Sequence, residues 1–174
     1  MAIKPTIFKA ELDIVDVTRN YYATHPLTLA RHSSETDERM MVRLLAYALH
    51  AHELLSFTEG LANADEPALW QKDLSGAIDL WIDLGQPDEK RLLKACGRSA
   101  QVVVYTYANS TQIWWNGMSD RLKKTANLTV FQIPTSGLAA LAERTMKLHC
   151  MIQDGQIWLT AGDETLQLDI TKLN

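Results

Sequence analysis

The sequence predicts an α/β (α+β) protein whose mixed β-sheet core is flanked by helices, with a β-hairpin at each end. Three observations lead there. Ile7–Val17 alternates apolar and polar residues with the period of a half-buried strand, and the tail from Arg144 to Leu173 reads as β, its last strand alternating through Leu166, Leu168 and Ile170. Met41, Leu44, Leu45, Ala48 and Leu55 recur at helical spacing. Between these regions, Ala77–Leu84, a helix opened by Pro87-Asp88-Glu89, and Gln101–Tyr107 read as strand, helix, strand. That order over some thirty residues is a βαβ unit, which makes a parallel pair.

Within the N-terminal hairpin, Asp16–Asn20 turns the chain and Tyr21–Ala30 returns. Pro26 lacks a donor, so it confines that strand to an edge or a bulge. Ser33 or Ser34 is the expected N-cap of a helix over Glu35–Leu55. Asp37 stands three after Ser34 as in a capping box, and Glu35, Asp37 and Glu38 suit the first turn. Asn63–Pro67 is a loop, Trp70–Asp73 a short strand, and Leu74-Ser75-Gly76 a turn. Val102-Val103-Val104-Tyr105 is apolar throughout, as a strand buried on both faces is. A helix over Thr111–Thr125, a strand over Leu128–Ile133 and a short helix over Ser136–Ala142 follow. Asp154-Gly155 is a hairpin turn between Thr145–Ile152 and Gln156–Thr160. Thr165–Thr171 is the last strand. Residues 1–174 read as one domain, a length that buries roughly 70% of the unfolded chain's surface.

Composition narrows the function. Hydrophobic residues make up 47% and charged residues 22%, as in ordinary globular domains. No apolar run approaches the ~18 residues of a membrane span. Met1-Ala2-Ile3-Lys4-Pro5 lacks the basic start of a signal peptide, so a cytoplasmic location is expected. Cys96 and Cys150 match no metal spacing and read as reduced, packed thiols. The formal net charge of −4 argues against loose adhesion to nucleic acid, which rewards a basic surface, and leaves room for a local basic groove. Lys90, Arg91, Lys94 and Arg98 form one basic cluster, and Arg121, Lys123 and Lys124 another. Each is read first as a solvated helix face.

The chemistry concentrates in Ala77–Leu84. Ile78, Leu80, Ile82 and Leu84 share one face, and Asp79, Trp81 and Asp83 the other. Carboxylates on a central strand are costly unless paired or holding a cation. One reading pairs them with Arg and Lys of the next helix or places them at an open edge. The other makes them ligands. Residues four apart on a strand are separated by roughly 13 Å, so Asp79 and Asp83 cannot share one metal ion. Asp73, brought near by the turn, and Glu35 and Glu38, three apart at the helix start, are the other candidate ligands. Such an all-oxygen set suits Mg²⁺ or Mn²⁺ and phosphate chemistry. Lys90 and Lys94, four apart, share the face of the following helix. His50 and His52, two apart, are poor co-ligands. Trp114-Trp115 suits base stacking or core packing.

Several segments together carry a resemblance. Thr28-Leu29-Ala30-Arg31-His32, Ser34-Glu35-Thr36, Glu38-Arg39-Met40-Met41, Ile78-Asp79-Leu80-Trp81-Ile82-Asp83-Leu84-Gly85, Pro87-Asp88-Glu89, Lys94-Ala95-Cys96 and Ile113-Trp114-Trp115 resemble the bacterial YaeQ family, in order and nearly end to end. The resemblance implies a variant PD-(D/E)XK, restriction-endonuclease-like fold and a divalent-metal site for phosphodiester hydrolysis. It implies Glu38 or Glu35 as helix acid, Asp73 or Asp79 as first strand acid and Asp83 as second. The lysine usually found two residues after the second acid is missing, since Gly85 stands there. Lys94 or Lys90 is the catalytic substitute. The alternative is a non-catalytic module on the same scaffold that binds nucleic acid or a protein partner.

Overall fold

In the computed structural model the described residues are 4–174, so Met1–Ile3, part of the start read above as lacking a leader, lie outside them. The described strands form two mixed sheets, and the chain divides into two compact units. The first unit comprises Met1–His50 and Pro134–Ile170, the second Ala51–Ile133 and Thr171–Asn174.

The first unit is built on β1 (Thr6–Asp16) and β2 (Tyr21–Arg31), an antiparallel hairpin in continuous register from Thr6↔Arg31 to Asp16↔Tyr21. Phe8, Ala10, Leu12 and Ile14 alternate inward, and this alternation fixes the register, because a one-residue slip would expose all four. Asn20 takes the left-handed conformation in the turn (φ 56°), which Asn tolerates. β2 is an edge strand, so Pro26 removes no ladder bond that a further strand needs. β8 (Thr145–Gln153) lies parallel to β1 on its other side. β9 (Gln156–Ala161) and β10 (Glu164–Asp169) then add antiparallel strands, giving the order β10-β9-β8-β1-β2.

The helix of this unit, α1 (Asp37–Leu49), is shorter than the periodicity suggests at both ends. Thr36, rather than Ser33 or Ser34, is the N-cap: its hydroxyl accepts from the Arg39 amide at 3.1 Å. Ser34 turns instead to the His32 ring. Every residue from Met40 to Ala48 is buried. Such a helix has no solvent stripe, and the spacing of its apolar residues extends into Leu55, which belongs to a different element. His50 is the C-cap and His52 lies beyond the helix, so neither is a helical residue. A single 3-10 turn, Ala139–Leu141, stands for the short helix expected over Ser136–Ala142.

The second unit is a six-stranded sheet. β5 (Ile78–Leu84), β6 (Ser99–Thr106) and β7 (Leu128–Gln132) are parallel. β4 (Leu69–Lys72) and β3 (Leu55–Phe57) extend it antiparallel beside β5, and β11 (Thr171–Lys172) beside β7. The expected βαβ unit is β5, α2 (Glu89–Arg98) and β6. β3 was not expected as a strand, since its three residues are too few to show a period. The helix expected over Thr111–Thr125 is divided into α3 (Thr111–Asn116) and α4 (Ser119–Leu122) around Gly117. Trp81, Leu92, Ala95, Val102, Val104, Trp115, Leu122 and Val130 form the core of this unit. The last side chain continues the ladder: Asn174 accepts from the Val130 amide at 2.9 Å and donates to the Leu128 carbonyl at 2.8 Å.

Candidate functional site

The site is assembled by β5 and α2. Asp79, Trp81 and Asp83 alternate with Ile78, Leu80, Ile82 and Leu84, and Trp81 and Asp83 meet α2. α2 is fixed at its start. Asp88 accepts from the Arg91 amide at 2.7 Å, and the Trp114 indole N–H donates to the Pro87 carbonyl at 2.9 Å. Gly85, with φ 85°, makes the turn that leads from β5 toward that helix.

Asp83 is buried and its carboxylate is fully engaged. Arg91 donates to it in a forked pair, Nε to Oδ2 at 2.9 Å and Nη2 to Oδ1 at 3.0 Å. The same guanidinium donates to the Ala64 carbonyl at 2.5 Å and the Glu66 carbonyl at 2.8 Å. One side chain therefore ties β5, α2 and the loop before β4 together. The bond to Asp83 raises the Arg91 pKa further, against the effect of burial. The fork is the geometry in which arginine binds carboxylate most strongly, and it leaves Asp83 little capacity for a metal ion.

Asp73 lies beside the start of β5, but its carboxylate accepts from the Ser75 hydroxyl at 2.5 Å, the Ser75 amide at 2.8 Å and the Ala77 amide at 3.0 Å. These bonds, the Ser75 hydroxyl foremost, hold its pKa below the usual carboxylate range. It fixes its own turn. Asp79 is half-buried and lies at the irregularity itself, where the register passes from Gln71↔Leu80 to Lys72↔Ile78 and skips it. In the first unit, Glu35 precedes α1 rather than sharing its first turn with Glu38. It is buried against Arg43 at 2.7 Å and Arg39. Glu38 accepts from the Thr135 hydroxyl at 2.9 Å. Among the described residues no group of three or more His, Cys, Asp or Glu is arranged to hold a metal ion. Asp83 in one unit and Glu35 in the other meet arginine through both carboxylate oxygens and so do not fit the expected Mg²⁺ or Mn²⁺ set, while Asp73 uses only Oδ1 and is held in its own turn.

The face also has a pocket, of about 210 Å³, between the side chains of α2 and Trp81. Lys90, Arg91, Lys94 and Arg98 line it, and so do Asp65 and Asp88. Trp81 is 3% exposed, and its indole N–H has no hydrogen-bond partner. The Arg91 and Arg98 guanidinium carbons lie 5.8 and 5.3 Å from its ring centre, within cation–π range. Trp70 meets the same ring edge-on at 6.3 Å.

The basic cluster on α2 differs from the second one. In the latter, Arg121 pairs with Glu89 and Lys123 with Asp120. Trp114 and Trp115 do not form a stacking surface: Trp115 is core and Trp114 bonds Pro87. The sequence offers the Arg and Lys of the next helix as partners for Asp83, and the structure selects Arg91. That Arg of the basic cluster stands eight residues on, in the first turn of α2.

The family model described as YaeQ protein matches residues 1–170. The chain belongs to the YaeQ family. It is 46% identical to "Uncharacterized protein YaeQ" of Escherichia coli K12, across 98% of this chain and 97% of that one. The Salmonella typhi protein of the same description is 45% identical over the same shares. The crystal structure of the YaeQ protein from Xanthomonas axonopodis pv. citri superposes with a TM-score of 0.94 at 47% identity, covering 97% of each chain. That from Pseudomonas syringae superposes at 0.93 and 35% identity, covering 98% of this chain and 96% of the other. The YaeQ architecture is therefore a mixed α/β one, with two mixed sheets and helices against them.

Proposed function

We propose that this YaeQ chain is a non-catalytic binding module on a nuclease-like scaffold, and that its partner is a nucleic acid held through its phosphates. The engagement of Asp83 by Arg91 carries the reading. A nuclease of the implied kind needs that strand carboxylate on a metal ion, and here a guanidinium occupies both its oxygens. The neighbouring helix offers Lys90, Lys94 and Arg98, four residues apart along one face, and none forms an ion pair among the described residues. Cations so placed neutralise phosphates. A protein partner is the other outcome of the same tests.

A second reading keeps the hydrolase. Asp79 has no cation partner among the described residues and belongs to the same strand face as Asp83, beside the helix that carries Lys90 and Lys94. A metal ion held at Asp79 would make the chain a Mg²⁺- or Mn²⁺-dependent phosphodiesterase, Lys94 stabilising the developing charge. Calorimetry with Mg²⁺ and Mn²⁺, and cleavage assays on single- and double-stranded DNA and RNA, separate the two. The binding reading expects retention of an oligonucleotide with no specific metal binding and no cleavage above background. Metal-dependent cleavage abolished by Asp79→Asn would overturn it in favour of the hydrolase.

A further inference from the structure

We infer that the pocket between β5 and α2 is a site for a single phosphoryl group. The inference rests on the nucleic-acid reading for the source of the phosphate, but its geometry stands alone. Lys90, Lys94 and Arg98 repeat every four residues, so they stack along one side of α2. Like charges at that spacing destabilise a helix, and among the described residues no carboxylate neutralises any of the three. Asp65 lines the pocket beside them without an ion pair among the described residues, and two further carboxylates are engaged elsewhere. Asp88 caps α2, and Asp83 is held by Arg91. Arg98 has instead an aromatic support, the Trp81 ring at 5.3 Å.

Size and chemistry then choose the ligand. The pocket holds about 210 Å³, below the ~300 Å³ at which drug-sized ligand pockets begin. It takes a group, not a whole dinucleotide. Its lining sets the ammonium groups of Lys90 and Lys94 and the guanidinium groups of Arg91 and Arg98 against the carboxylates of Asp65 and Asp88, so cations outnumber anions, and Trp81 contributes a buried indole. A tetrahedral oxyanion, with acceptors on every side, matches donors repeated along one side of a helix. Arginine recognises phosphate through its fork, and lysine as a point charge. Trp81 is too buried to stack on a base, so the site reads charge and not sequence.

The full-length protein, labelled with ¹⁵N, is titrated first with inorganic phosphate and then with a short single-stranded oligonucleotide, with and without a 5′-phosphate. The indole N–H resonances report, Trp81 being identified by its loss in Trp81→Phe. Phosphate should move the Trp81 signal. The double variant Lys94→Ala/Arg98→Ala should weaken binding about tenfold or more, and Arg98→Lys alone should weaken it less. Both positions are exposed, and an unchanged far-UV spectrum and melting transition check that the variants fold. An immobile Trp81 resonance, or equal phosphate affinity in the folded double variant, overturns the site. Oligonucleotide binding that ignores both would leave the nucleic-acid reading standing without this pocket. Phosphate binding at Trp81 with no oligonucleotide binding would keep the pocket and assign it to a free phosphorylated small molecule.

Discussion

At the residue scale, Asp83 shows how a buried charge chooses between two fates. Its place on a central strand marks it from sequence, because a carboxylate there needs a partner. Sequence spacing offers a metal and an arginine equally, and only geometry decides. Since Arg91 holds it, Asp83→Ala strands a half-buried guanidinium. Breaking a buried pair costs about 3–5 kcal/mol. Arg91 retains two backbone carbonyls and some solvent contact, so about 2 kcal/mol is expected, read from urea denaturation. Pairing Asp83→Ala with Arg91→Met should cost clearly less than the sum of the two single changes, as coupled partners do. Additive losses would remove the clamp from the account. Cys150 is a second residue whose surroundings decide its chemistry. Burial first, and the charge of Asp16 second, push its thiol up to about 12. Burial also raises half-buried Cys96. Both thiols should react slowly with a disulfide reagent in the native protein, and both promptly in denaturant. Fast native labelling of Cys150 would contradict the packing described.

At the scale of elements, α1 tests the correction at its start. Thr36 satisfies one of the orphan amides of the first turn. Thr36→Ala should cost about 1 kcal/mol, while Ser34→Ala, whose hydroxyl meets only the exposed His32 side chain, should change the urea midpoint little. A larger loss at Ser34 would restore the capping box expected from its spacing to Asp37. The error has a physical origin. Ser33, Ser34 and Thr36 are all competent caps, and choosing among them requires the direction in which the chain enters. Strands were more legible. β1, β2, β5, β8 and β9 each alternate or run apolar between turn signals, and period two leaves few registers open. β3 is too short to have a period, and the break between α3 and α4 at Gly117 and Met118 is hidden because the apolar spacing continues across it.

At the scale of the whole molecule, the least legible feature is long-range pairing. β1 lies parallel to β8 across more than a hundred residues, and no local pattern records that the tail returns to the N-terminal hairpin. The same return makes the first unit discontinuous in sequence. The cationic row of α2 was visible as a charge cluster, but its distinction from the paired cluster around Arg121 appears only when partners are known. Stability of the folded chain should also carry a pH signature that no motif announces. His50, closing α1, has its pKa drawn down to about 4. Burial is the main cause, the positive charge of Arg19 adds to it, and Asp16 opposes it. The unfolded chain binds that proton near pH 6.5, so between about 6.5 and 4 it holds more protons than the folded one. Stability is therefore full above this window, falls as pH drops through it, and levels off below it where both states are charged. The contribution is on the order of 2 kcal/mol after allowing for partial solvent contact. Denaturation midpoints measured from pH 8 to 4 should decline most steeply in that interval, and His50→Gln should flatten the decline. An equally steep profile in the variant would assign the acid sensitivity to the carboxylates instead.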